Sequence, residues 1–277
     1  KAQYHSPSKG GFKSKSLTTL NGYKSTLALT FCTIVFFISF LFPVLQMLYW
    51  TIIFPKHLTD LNLIELFFNT ILLVLLSSVM LISLAFISNY GNRLSRSKFL
   101  QLLTTFSISG YAIPGIILAV AFITFISWFD KNIINFFGFN TIKSFFIGSI
   151  FGLIIVYFVR FFSLASNGLK SAYLKINYSI DESAYLLGYS KFKTFKNVHI
   201  PYLKNSILLI GILIAIEVIK ELPITLIMRP FNFETFATTA YIFASQDLLE
   251  AAAAPSLFLI LIASFFILIT SRHILKD

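Results

Sequence analysis

The chain has 277 residues, of which 57% are hydrophobic and only 12% charged, with a formal net charge of +11. A soluble domain carries about 25% charged residues. Here the apolar residues come in runs long enough to cross the roughly 30 Å core of a bilayer, and a soluble fold could not hide six of them.

Residues 1–24 are polar and basic, too polar for a signal peptide. They are read as a cytoplasmic linker or N-terminal arm, the cut edge of a longer chain being one origin. The following domain, 25–277, is predicted to be all-α and polytopic, with six transmembrane helices near 25–50, 66–90, 101–127, 144–165, 205–228 and 252–271. The single cysteine, Cys32, falls in the first span, which excludes a disulfide framework. In the third span Pro114 and Gly115 predict a bend or break, tolerated where neighbouring protein satisfies the freed backbone. In the fourth, Gly148 and Gly152 form a small-xxx-small pair for close helix approach, continued by Ser163, Ala165 and Ser166. Tyr49 with Trp50, Trp128 with Phe129, and Tyr157 with Phe158 are read as interfacial anchors.

Lys and Arg set the orientation. With the N-terminus inside, the arm, the 91–100 connection, the stretch from Arg160 to Lys204 and the tail hold seventeen, against four outside (Lys56, Lys131, Lys143 and Arg229). That asymmetry predicts cytoplasmic termini. It also accounts for most of the basic charge, and no zinc pattern or aromatic-and-basic ribbon argues for nucleic acid.

The long connection 166–204 has its own pattern. Ile176, Ile180, Ala184 and Leu187 share one helical face, with Asp181 and Glu182 directed elsewhere. Gly188 supplies a turn, a second short helix covers 191–197, and Pro201 ends it. The periodicity alone is equally satisfied by an interfacial hairpin without a partner. In the fifth span Glu217, Lys220 and Glu221 lie three and four residues apart on one face. Intramembrane charges face protein or water, so this face lines a path or gate, or else pairs internally to lock two helices. Pro223 is expected to kink the span there.

Asp181, Glu182, Ser183, Ala184, Gly188, Val198, Ile200 and Pro201 stand at spacings that resemble the EAA signature of ABC importer permeases, with Ser183 departing from Ala and Val198 and Ile200 from Ile and Leu. Asn69-Thr70, Tyr111 to Gly115, Lys220 to Thr225 and Arg229 to Thr235 look like the ferric-iron permease subgroup. The resemblance implies the type I, MetI-like permease fold in a bacterial inner membrane, with 166–204 as the loop that docks on an ABC ATPase. Two ATPase copies, a second permease half, fused or separate, and a periplasmic or lipoprotein ferric-binding protein are implied as partners. In fused members each half carries one loop, so the chain is expected to be a C-terminal half. Segments 50–65 and 229–250 would receive the cargo, and Glu217, Lys220, Glu221, Pro223 and Arg229 are candidate path or gate residues.

No Walker-type glycine loop is present, so ATP and magnesium are expected on the partner, with no cofactor held here. His5, His57, His199 and His273 are too scattered for a metal cluster, and His199 is read as a polar loop residue. Relatives for thiamine, sulfate, polyamine and aminoethylphosphonate share the fold, which keeps other cargoes open. A secondary transporter should show an ion-coupling set or an internal repeat, and an intramembrane enzyme a nucleophile–base pair or metal ligands within the spans. Neither is visible.

Overall fold

The computed structural model describes residues 19–95, 97–137 and 146–274, so most of the N-terminal arm lies outside the described residues. The described residues form helices and connections without a strand, and six helices are long and apolar enough to span a membrane: Tyr23–Ile53, Leu63–Ser95, Gly115–Ile133, Ile150–Tyr173, Lys191–Ile219 and Leu249–Arg272. The chain divides into two compact units, 1–46 and 47–277.

The first span runs through α1 (Tyr23–Phe36), a π turn (Phe37–Leu41) and α2 (Phe42–Ile53), apolar on every side. After the short α3 (Pro55–Thr59), α4 (Leu63–Ser95) crosses in one piece. The third expected span is two helices, α5 (Lys98–Ser109) and α6 (Gly115–Phe137), with a single 3₁₀ turn between them. The fourth span is α7 (Ile150–Tyr173). Then come α8 (Tyr178–Leu186), α9 (Lys191–Thr194), α10 (Ile200–Ile219), α11 (Pro223–Met228), α12 (Phe236–Ser245) and α13 (Leu249–Ile274).

Within the larger unit, α4 and α7 pack along each other and α10 lies against both. Their shared core includes Leu73, Leu81 and Ala85 of α4, Leu153, Phe161, Ala165 and Leu169 of α7, and Ile214 and Val218 of α10. Lipid tails are as apolar as these side chains, so such a core is held by packing rather than by expulsion of water. Close approach therefore matters. At Gly110 a Cβ would overlap the Val159 carbonyl oxygen of α7, and at Gly168 it would stand 2.8 Å from Ile210 of α10.

The expected glycine pair works differently. Gly148 has φ +66° in the turn before α7, and a Cβ on Gly152 would overlap the Phe146 carbonyl of that same turn. The pair shapes the entrance to α7 rather than a contact between helices. Ser149 caps it, accepting from the Gly152 N–H at 3.1 Å. Buried Asp130 of α6 accepts from the Phe146 and Ile147 N–H groups at 3.1 and 3.2 Å. Tyr157 is also corrected: it is fully buried inside α7, not an interfacial anchor.

Candidate functional site

Two constellations contain chemistry. The first is built on the connection after α7. The α8 helix ends in a Schellman turn: the Gly188 N–H donates to Tyr185 O at 2.9 Å and the Tyr189 N–H to Ala184 O at 3.0 Å. Gly188 has φ +80°, a left-handed conformation that a side chain would strain. Ser190 caps the next helix by accepting from the Lys193 N–H. That helix does not stop at Pro201. It widens into a π turn, Phe195–His199, and runs on through α10. Pro201 sits in the first turn after the π turn, and the helix continues through it. Val198, Ile200 and Pro201 therefore sit in a continuous helix rather than in a loop.

The inward face of α8 also departs from expectation. Ile176 and Ala184 are buried as expected, but Leu187 is 77% exposed and Asp181 is buried. The reason is a cross-chain charge cluster. Arg93, near the end of α4, places Nε 2.7 Å from Asp181 Oδ2. Its Nη1 and Nη2 donate to the Ile176 and Asn177 carbonyls at 3.1 and 3.2 Å. The other Asp181 oxygen, Oδ1, is 2.7 Å from Nε2 of fully buried His199. With the carboxylate as acceptor, Nε2 is assigned the hydrogen. Tyr173, tilted, and Tyr90, edge-on, flank the imidazole at 5.5 and 5.2 Å between centroids, and Arg93 lies 4.3 Å over the Tyr178 ring. His199 is thus a helical core residue, not a polar loop residue. Glu182 and Ser183 point outward, beside exposed Leu186, Leu187 and Phe192.

The second constellation is a pair of helix breaks. Between α5 and α6, Ile113 precedes Pro114 and is extended, φ −83° and ψ 130°. The Tyr111 and Ile113 carbonyls freed there accept from Nη1 of Arg160, at 3.0 Å in the case of Tyr111. Between α10 and α11, Pro223 opens a new helix instead of kinking the old one. The Glu221 carboxylate caps α11 by accepting from the Ile224 N–H at 3.3 Å. Thr225 donates to the Glu221 carbonyl at 2.6 Å and accepts from the Tyr157 hydroxyl. The two breaks meet, since a Cβ on Gly115 would stand 3.1 Å from Glu221 Oε1.

Glu217 pairs with Lys220 at 2.7 Å. Arg229 is held apart from this group: it pairs with Glu234 and donates to Phe233 O in the turn after α11. That turn is tied to α4, because Asn69 donates to Glu234 O at 3.0 Å and Thr70 accepts from the Phe236 N–H. Arg93 and Arg160 were missed as site residues because both were counted only as loop charges. Arg160 in fact lies well inside α7 and is not a loop charge. A basic residue ten positions into a 24-residue apolar helix was the available signal. Among the described residues no cluster of three or more potential metal ligands occurs.

No family model matches the chain. It is 21% identical over 276 residues to the Fe(3+)-transport system permease protein FbpB 2 of Haemophilus influenzae, covering 99% of this chain and 52% of the relative, so it spans about half that protein's length. Two solved structures share the fold. A bacterial ABC transporter involved in the import of the acidic polysaccharide alginate gives a TM-score of 0.67 at 18% identity, covering 90% of this chain and 94% of that one. The bacterial alginate ABC transporter in complex with alginate pentasaccharide-bound periplasmic protein gives 0.69 at 18% identity, covering 90% and 93%. The chain is an all-α, multi-pass membrane protein with the fold of ABC importer permeases.

Proposed function

We propose that this chain is a permease subunit of an ABC importer, forming half of a translocation path that a separate ATPase drives. The observation that carries the reading is the α8 hairpin. Its inward side is riveted to α4 and α10 by Arg93, Asp181 and His199, while its outward side presents Glu182, Leu186, Leu187 and Phe192 to a partner. A rigid, externally apolar knob fused to two spans is what a mechanical coupling to another protein needs. The implied partners are two ABC ATPase subunits carrying ATP and magnesium, a second permease half, and a soluble binding protein arriving at the opposite end. In this reading the hairpin and both termini are cytoplasmic and the bilayer is a bacterial inner membrane. The likeness to a ferric-transport permease supports ferric iron as cargo.

The test uses Glu182→Lys and Gly188→Asp in the complete complex. Both chains are expected to insert normally and to lower ATP-driven uptake of radiolabelled Fe³⁺ at least tenfold, with ATP hydrolysis no longer responding to binding protein. Wild-type uptake by both variants rejects the coupling role. Wild-type complex that couples ATP hydrolysis to another solute, without taking up Fe³⁺, rejects the cargo alone.

A further inference from the structure

The exposed faces of the spans differ in kind. On α4 the exposed positions include Phe67, Phe68, Leu75, Val79 and Ile87, as suits contact with lipid. On α7 the buried face is apolar, with Phe161, Phe162, Ala165, Leu169 and Ala172. Its open face carries Arg160, Ser163, Leu164, Asn167 and Ser171, at helical spacings of three and four. The same side holds a cavity of about 300 Å³ lined by Tyr111, Ser163, Asn167, Gly168, Ser171 and Leu213.

Arg160 lies ten residues into α7, roughly 15 Å along it, near the middle of a bilayer core of about 30 Å. A guanidinium at that depth is costly in hydrocarbon and so faces protein or water. Nη1 is engaged by the two break carbonyls, its Nε is buried without a partner, and no carboxylate forms an ion pair with it among the described residues. Glu221, at the facing break, feels this charge without pairing with it, so compensation comes across the breaks and none comes from α7 itself. Charges on α7 are Arg160 and Lys170, both positive, and the helix has no acid. Glu217 and Glu221 favour a cation only until Arg160 joins Lys220, which makes the group of breaks two acids against two bases.

Resting on the permease reading, we infer that the open face of α7 lines a water-filled path of positive potential, and that it passes a cargo bearing anionic oxygen groups, as a carboxylate or phosphate chelate does, rather than a bare trivalent cation. Arg160 is the specificity-determining residue. Ser163, Asn167 and Ser171 supply hydrogen bonds to oxygen ligands without holding them tightly.

The experiment uses the complete complex in membranes with Cys32→Ser, adding Ser163→Cys, Asn167→Cys or Ser171→Cys singly, and Leu75→Cys on the lipid side of α4. Each is exposed to the anionic sulfonatoethyl and the cationic trimethylammonioethyl methanethiosulfonate, with rates normalised to free cysteine. The three α7 positions are expected to react and Leu75→Cys to stay inert. The anionic reagent should be favoured about tenfold or more at Asn167→Cys, the scale of one unit charge acting over several Å at intermediate dielectric. Arg160→Gln should remove the preference and Arg160→Lys keep it. Inert α7 positions, equal rates or a cation preference in the Arg160 background overturn the inference. ATP-driven uptake measured in the same membranes separates the outcomes, because uptake that persists over an inert α7 face rejects the path and spares the permease.

Discussion

Asp181 shows how one residue changes meaning between sequence and structure. Local periodicity directs it away from the apolar face of α8, yet it is buried because Arg93, 88 positions earlier, and His199 both reach it. No pattern within the hairpin encodes that arrangement; it depends on α4 and α10 arriving together. The glycine of the turn was legible, because a left-handed residue has a composition signature, whereas a distant ion pair has none. Removing one partner of a buried charge pair costs about 3–5 kcal/mol. Arg93→Ala is accordingly expected to loosen the hairpin and raise tryptic cleavage at Lys191 and Lys193 at least tenfold, with the spans still inserted. Arg93→Lys, which keeps charge but loses the planar fork, should fall between. Cleavage unchanged in Arg93→Ala would show that the cluster does not hold the hairpin.

Among the elements, the existence of the six spans was readable from apolar length; the third was expected to bend or break and breaks, whereas the fifth was expected to kink and is instead two helices. The breaks at Pro114 and Pro223 were signalled by proline; what satisfies their freed carbonyls was not, since the Arg160 donor comes from another helix. Close packing was assigned to Gly148 and Gly152, although the tight contacts fall at Gly110 and Gly168. A small residue in a span announces permission to approach, not which neighbour does so. Gly110→Ala should therefore lower the thermal midpoint of the detergent-solubilised complex by several degrees, since overpacking costs about 1–3 kcal/mol. Gly91, also helical, meets nothing within 4 Å of a built Cβ, so Gly91→Ala should leave the midpoint almost unchanged. Equal shifts in the two variants would refute the packing assignment.

For the whole molecule, charge distribution predicts that α8 and both termini share the cytoplasmic side. A Glu182→Cys variant in a Cys32→Ser background should be modified by a membrane-impermeant maleimide in inverted vesicles and not in intact right-side-out ones. Labelling from outside would reverse the orientation and remove the hairpin from any ATPase. The ferric reading stands on a different footing, because part of what resembles that subgroup, Asn69, Thr70 and the turn from Arg229 to Thr235, binds together and stabilises one end of the fold, and the rest, Tyr111 to Gly115 and Lys220 to Thr225, builds the two helix breaks. Similarity at these positions reports shared architecture.

The helix from Lys191 to Ile219 is unbroken for 29 residues, roughly 43 Å at 1.5 Å per residue. One end is rooted beside the α8 knob and the other stops at the Glu217–Glu221 break. Such a rod behaves as a crank: a tilt of about 5° at the knob sweeps the far end through about 4 Å at that length. A helix ended at Pro201 would have swung on a hinge and lost the stroke. The helix is continuous through the π turn at Phe195–His199, so on the permease reading a small push at the knob would reach the far end as displacement, and a spacer that let the shaft flex there would disconnect the two ends while leaving each intact.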